Sequence, residues 1–284
     1  MDFRNPELIA FIQSCIQEDR GDGDHSSLAS IPAGTQGHSR LLLKENGVIA
    51  GMELARTILN VIDPSIVFTP YHKDGEQLPA GTLLAEAKGS VHSLLLAERL
   101  LLNFMQRLSG IATQTAAMVK LTEGYKVKIL DTRKTTPGLR LLEKWAVKTG
   151  GGENHRIGLY DMIMLKDNHN DSAGGITAAV NRTVAYLKSH GKDLKIEVET
   201  RNMVEVREAL NTGSVDRIML DNFTPEACKE AIDWIAGRCE TEASGGINAE
   251  NLRDYAATGV DYISLGALTH SVKSLDISMK THSI

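Results

Sequence analysis

Apolar positions follow two rhythms along this chain. In the first stretch, 1–90, they mix helical and alternating spacing. Leu8, Ile9, Ile12, Cys15 and Ile16 make one face of a helix over 6–19, with Asn5 as its cap and Pro6 at its first position. The segment 21–27 reads as turn. Residues 39–50 read as two strands joined by the Asn46-Gly47 turn signal, followed by a short helix over 53–61. Extended segments are expected at 66–71 and 82–88, which makes the first stretch an α+β layer. Leu94, Ala97, Leu101, Met105 and Leu108 then line a long helix over 93–123, with Ser109-Gly110 as its expected break.

From residue 126 the rhythm changes. Short apolar runs recur at 127–130, 162–165, 196–198, 217–220, 242–243 and 262–265, each ending in polar or glycine residues. Helix-like stretches at 202–211, 225–235 and 248–258 separate the later ones. Glu199 to Asp221 is 22 residues, Asp221 to Ser244 is 23 and Ser244 to Gly266 is 22. Strand and helix alternating at this period predict parallel strands with right-handed crossovers, a barrel of at least six βα units. The pattern leaves open whether the barrel closes.

Composition changes this picture little. With 42% hydrophobic and 24% charged residues, the chain is globular rather than disordered. Lys and Arg number 31 against 36 Asp and Glu, a net charge of −5, which argues against nucleic acid or an anionic membrane as the main partner. Cys15, Cys228 and Cys239 form no Cys-x-x-Cys pair, so a disulfide or zinc-thiolate framework is not expected. The sequence carries no leader-like N-terminus and no apolar run near the ~20 residues of a membrane span. The expected location is the cytoplasm.

Chemistry enters at the ends of the apolar runs. In βα barrels the active site is built at the C-terminal ends of the strands. Those ends carry Arg133, Lys134, Lys166, Glu199, Asp221, Ser244 and Gly266. Any one of them could be a solvated loop residue; the whole set sharing one end argues for a site. Between 131 and 169, seven basic residues outnumber five acidic ones in an acidic chain, although Glu143 and Lys148 read as helix-surface charge. A basic concave mouth concentrates anions, and arginine forks suit carboxylates. Ser244-Gly245-Gly246 and Gly266-Ala267 read as phosphate loops or simple turns with equal weight. Glu199 and Asp221 either neutralise nearby lysines or hold Mg²⁺ beside a polyphosphate. His155, after the glycine-rich 150–154, reads either as a structural histidine or as part of a ligand-gripping loop.

The segments Asp131-Thr132-Arg133-Lys134-Thr135-Thr136-Pro137-Gly138 and Gly151-Gly152-Glu153-Asn154-His155-Arg156 resemble signatures of the quinolinate phosphoribosyltransferase family. Glu98-Arg99, Leu108 to Thr113, Met164 to Asn168, Glu197-Val198-Glu199, Leu220-Asp221-Asn222, Glu242 to Gly246 and Ile263 to Gly266 continue the resemblance over nearly the whole chain. His25-Ser26 departs from it, since family members usually carry a threonine close by. The resemblance implies an α/β fold: an N-terminal α+β sandwich domain over 1–109, joined by the tail 270–284, then an incomplete, about six-stranded parallel α/β barrel over 110–269. It implies transfer of phosphoribosyl from phosphoribosyl pyrophosphate to quinolinate, with decarboxylation, in NAD biosynthesis. It further implies that Arg133, His155, Arg156 and Lys166 clamp the two carboxylates of quinolinate, in the company of Thr132. The 5′-phosphate would rest on Ser244, Gly245, Gly246, Leu265, Gly266 and Ala267, with His270 nearby. Lys134, Glu199 and Asp221 would be catalytic, the two carboxylates holding Mg²⁺ directly or through water. Arg99 would reach the neighbouring subunit's site in a homodimer or a hexamer built of dimers. The competing readings are a related phosphoribosyltransferase acting on another acid, the molybdenum-transport-associated paralogue of the family, and a non-catalytic anion-binding scaffold. Intact Lys134, Glu199 and Asp221 count against the scaffold.

Overall fold

The computed structural model describes residues 1–284, and the chain divides into two units. The first comprises residues 1–114, 148–150 and 272–284, and the second residues 115–147 and 151–271.

In the first unit, Asn5 accepts the Glu7 N–H (2.8 Å) and starts α1 (Pro6–Arg20), as the cap-proline pair predicts. The turn after it is shorter than expected, because Asp24 caps a further helix, α2 (His25–Ser30). The 39–50 hairpin does not form. β1 (Gln36–Leu43) pairs with β5 (Leu83–Ser90) and with the C-terminal strand Ile277–Ser283, while β2 (Gly47–Val48) pairs with β4 (Gln77–Leu78). Asn46 serves a different loop, its side-chain oxygen accepting the Ala80 N–H at 2.8 Å. Between them lie α3 (Met52–Ile62) and β3 (Val67–Pro70). The four-stranded sheet is antiparallel, in the order Ile277–Ser283, β1, β5, β3. Its inner face (Leu41, Leu43, Leu84 and Ile277) buries against Met52 and Leu59 of α3 and against Leu94, Leu101 and Met105 of α4 (Val91–Leu121). This is the expected α+β sandwich.

α4 runs unbroken through Ser109-Gly110. Ser109 hydroxyl donates to Ala50 O (3.1 Å) and accepts the Ala50 N–H (3.0 Å). A Cβ on Gly110 would lie 2.3 Å from Lys273 O. The dipeptide that reads as a break is a close approach between backbones, for which a missing side chain is required.

In the second unit the strands are β6 (Lys128–Leu130), β7 (Ile163–Leu165), β8 (Ile196–Thr200), β9 (Arg217–Asp221), β10 (Glu240–Ser244) and β11 (Tyr262–Ser264). Helices α5 (Arg140–Thr149), α6 (Asp167–Ala173), α7 (Ile176–His190), α8 (Met203–Asn211), α9 (Pro225–Ile235), α10 (Leu252–Ala256) and α11 (Ala267–His270) follow them in turn, and Ile277–Ser283 is β12. All six strands are parallel, in the order β6, β11, β10, β9, β8, β7. β6 and β7 sit at the two ends of this order, so the barrel is incomplete. The outer edge of β6 is met by the chain at Glu153, whose N–H donates to Ile129 O (2.8 Å) and whose carbonyl accepts the Asp131 N–H (3.2 Å). No helix of the chain is long and apolar enough to cross a membrane.

Candidate active site

Parallel register carries every strand's C-terminal end to one mouth of the barrel. Thr132, Lys134, Asp221, Ser244, Gly245, Gly246, Leu265, Gly266, Ala267 and His270, all expected from the sequence, line one cavity of about 620 Å³ there. Asn222, Ile247, Asn248 and Ser264 complete its wall. Of these, Asn222 lies in a segment that carries the resemblance, but its part was not among those expected. It sits at a positive φ of 56° and donates from Nδ2 to Asp221 Oδ2 (2.7 Å). Its N–H donates to Ser244 O at 2.8 Å. A Cβ on Gly245 would lie 2.2 Å from Asn222 Oδ1, so only glycine lets these two turns stack. The turn at Gly245-Gly246, both at positive φ, therefore belongs to the cavity rather than to an ordinary loop. Thr269 Oγ1 donates to Lys134 O (2.9 Å), and Thr132 Oγ1 accepts the Lys134 N–H (3.0 Å), which fixes the loop carrying Arg133 and Lys134.

Beside the cavity lies a mixed cluster. Lys166 Nζ is 3.2 Å from Glu199 Oε2. Asp221, on the neighbouring strand, has its carboxyl pushed up by burial and then by the charge of Glu199. One lysine facing two carboxylates leaves a negative charge in excess. Glu199 therefore pairs with a lysine, and the hard oxygen donors beside it are of the kind that fits Mg²⁺.

The arginines gather separately. Burial pushes the Arg156 pKa down, and the charge of Arg133 pushes it down further. Arg156 donates to Met162 O (3.3 Å) and approaches Met164 Sδ (3.5 Å), with no carboxylate on it. Arg133 Nε is buried without a partner. Two neighbouring guanidinium groups with spare donors have the chemistry to receive a dianion.

His155 lies elsewhere than the implied clamp. Its ring is 5% exposed, with Nε2 at 3.0 Å from Glu197 Oε2 and 3.3 Å from Glu242 Oε2. Its Nδ1 accepts the Arg156 N–H (2.7 Å), so both ring nitrogens are engaged inside the protein. Arg217 donates to Glu242 at 2.9 Å. With Arg217 on Glu242 and His155 Nε2 at ion-pair distance from both carboxylates, this cluster is an internal ion network. The inward turn has a physical cause in the backbone. Glu153 is tied to the edge of β6, and two residues on the His155 N–H is tied to Asp131 Oδ1 at 2.9 Å, which draws the chain in over the strand. Glutamates buried in mid-strand, Glu197 and Glu242, were the signal in the sequence for such a network.

Glu143 also departs from its expected place: it is buried, and its carboxylate accepts the Thr136 N–H (3.1 Å). Lys144 next to it is 1% exposed and pairs with Asp131, so it adds nothing to the basic mouth. Arg99 belongs to the first unit, exposed on α4.

Two family models match the chain: "Quinolinate phosphoribosyl transferase, N-terminal domain" over residues 24–109 and the corresponding C-terminal domain over residues 111–280. A quinolinate phosphoribosyltransferase [decarboxylating] of Nicotiana tabacum is 46% identical, covering 96% of this chain and 82% of its own length. A probable nicotinate-nucleotide pyrophosphorylase [carboxylating] of Bacillus subtilis is 45% identical over 96% of this chain and 93% of its own. The crystal structure of NadC from Streptococcus pyogenes superposes with a TM-score of 0.95 at 41% identity, covering 100% of this chain and 99% of that one.

Proposed function

This chain belongs to the quinolinate phosphoribosyltransferase family, and from that premise we infer the following chemistry. It is a decarboxylating phosphoribosyltransferase of NAD biosynthesis. The ring nitrogen of quinolinate attacks C1 of phosphoribosyl pyrophosphate while the C1–O bond to pyrophosphate breaks. The adduct then loses its 2-carboxylate as CO₂, leaving nicotinate mononucleotide once C2 takes up a proton. The observation that carries the reading is a glycine-lined cavity of about 620 Å³ at the strand ends, into whose wall Lys134 and Asp221 enter.

The residues supply mainly charge and position. Arg133 and Arg156 grip the two carboxylates of quinolinate, with Lys166 close by. His155 supports this from behind, by holding the Arg156 N–H. Main-chain N–H groups of the Gly245-Gly246 and Gly266-Ala267 turns receive the 5′-phosphate, with His270 at the rim. Lys134 meets the pyrophosphate as charge builds on the leaving oxygen, an electrostatic contribution that grows toward the transition state. Glu199 and Asp221 would hold Mg²⁺, whose charge would offset that of the departing pyrophosphate. After N-alkylation the ring nitrogen is itself the electron sink for loss of CO₂, so positioning does the remaining work. Arg99 suits a shared site in a homodimer or a hexamer of dimers, and the cytoplasm suits the free cysteines.

The test is release of labelled CO₂ from quinolinate carrying the label in its 2-carboxylate, with phosphoribosyl pyrophosphate and Mg²⁺. Stoichiometric CO₂ and nicotinate mononucleotide are expected. Turnover of nicotinate in its place, without CO₂, would overturn the assignment.

A further inference from the structure

Arg133 and Arg156 repel one another, and although the charges of Glu197 and Asp161 offset part of this at Arg156, neither carboxylate is hydrogen-bonded to it. Something must hold their backbones in register before the substrate arrives. Arg133 follows β6 and Arg156 follows the segment that pairs with the edge of β6, but that pairing is a single bridge between Leu130 and Glu153. One bridge is a weak tether for a loop carrying a repelled charge.

Behind it lies a buried polar strut that the chemistry above does not use. Asp131 is wholly buried and Lys144, on α5, is 1% exposed. Lys144 Nζ donates to Asp131 Oδ1 and to His155 O (3.0 Å). Asp131 Oδ1 also accepts the His155 N–H at 2.9 Å. The Asn154 amide, oriented with its nitrogen toward acceptors, donates to Asp131 Oδ2 (2.8 Å) and Lys144 O (2.8 Å). Both main-chain polar groups of His155 are thus held by one ion pair, one residue before Arg156 and, through Asp131, two residues before Arg133.

A buried ion pair is a poor stabiliser: the desolvation of two charges roughly cancels their attraction, and apolar replacements are often as stable. What it supplies is a unique geometry, because several directional bonds must close at once. We propose that Lys144, with Asp131 and Asn154, is a positioning residue for the dianion receptor, holding Arg133 and Arg156 at the spacing that quinolinate bridges. The proposal rests on the quinolinate reading. It predicts a specific split. The receptor for quinolinate depends on the strut, whereas the cavity for the phosphoribosyl donor is built mainly from the ends of β9, β10 and β11, and the one lysine it takes from the β6 loop, Lys134, has its own ties to Thr132 and Thr269.

The experiment compares the full-length chain with the double variant Lys144→Met/Asp131→Asn. The pair of substitutions removes both charges while keeping side-chain size and an amide oxygen that can still accept the His155 N–H. Calorimetric binding of quinolinate is measured beside turnover, so failure of the function shows in the unaltered chain and failure of the strut only in the variants. The expected result is a folded protein whose KM and Kd for quinolinate rise at least tenfold while KM for phosphoribosyl pyrophosphate stays within twofold. Equal changes in both KM values, or none in either, would overturn the proposal. Asn154→Ala leaves the ion pair in place and serves if the double variant does not fold. It should raise KM for quinolinate about threefold or more, again without moving the other KM, and an unchanged value refutes the strut.

Discussion

His155 occupies a position where three influences compete. Burial alone would lower its pKa, but the hydrogen bonding and charge of Glu197 and Glu242 outweigh burial and raise it to about 9. Arg217 tempers the two carboxylates, and the Arg156 N–H on Nδ1 opposes a second ring proton. Because the folded value lies above the unfolded value of 6.5, the associated stability is fully present below pH 6.5 and is lost as pH rises through about 9. Because the second ring proton must displace the Arg156 N–H from Nδ1, the loss is smaller than the shift by itself would give. Urea unfolding at pH 6.5 and 9.5 should show that drop in the unaltered chain and a much flatter profile in His155→Gln. An equal drop in both would mean that the network is not charged through His155. The histidine was visible in the sequence as part of a glycine-rich motif, but its direction was not. Direction depends on which edge Glu153 pairs with, and that is set by β6, a strand more than twenty residues earlier.

At the scale of elements, α4 illustrates the same limit. A Ser-Gly pair inside an apolar helical pattern weakens the helix, since glycine costs about 1 kcal/mol relative to alanine there. Read locally, that is a break. In the fold the helix continues, and Gly110 lies where the Lys273 carbonyl comes in. Two effects of opposite sign then meet in Gly110→Ala. Better helix propensity would contribute about 1 kcal/mol of stability. A Cβ 2.3 Å from a backbone oxygen forces a shift costing roughly 1–3 kcal/mol or more, because the neighbour is main chain rather than a pliant side chain. We expect the clash to win. The urea midpoint of Gly110→Ala should fall below that of the unaltered chain, and a rise would show that the tail moves aside freely. The expected hairpin at Asn46-Gly47 failed for a related reason: a turn signal marks where the chain bends, while the partners of β1 and β2 come from residues 77–90 and 277–283.

At the scale of the whole molecule, the reading of Arg99 as a group that completes a neighbouring copy's site makes a sharp prediction. Arg99→Ala and Lys134→Ala should each lose more than tenfold in activity, at least ~1.4 kcal/mol of transition-state stabilisation. Mixed after dissociation and reassociation, the two inactive variants should recover activity, because some assembled sites then contain both intact residues. Recovery no greater than that of either variant alone would confine the site to one chain.

The polar strand ends and their succession along the chain were determined by the sequence itself, whereas the gap between β6 and β7 was not. Strand and helix alternating at a period of 22 to 23 residues imply parallel strands with their chemistry at one end, and that rule is local enough to read along a chain. Tertiary structure alone decided which charges face substrate and which face one another. Lys144 and Lys134 are both lysines of one basic segment, yet the first is sealed against Asp131 and the second lines the open cavity. Burial of a charge is settled by partners brought in from other strands and helices, and no pattern along the chain encodes the distance between them.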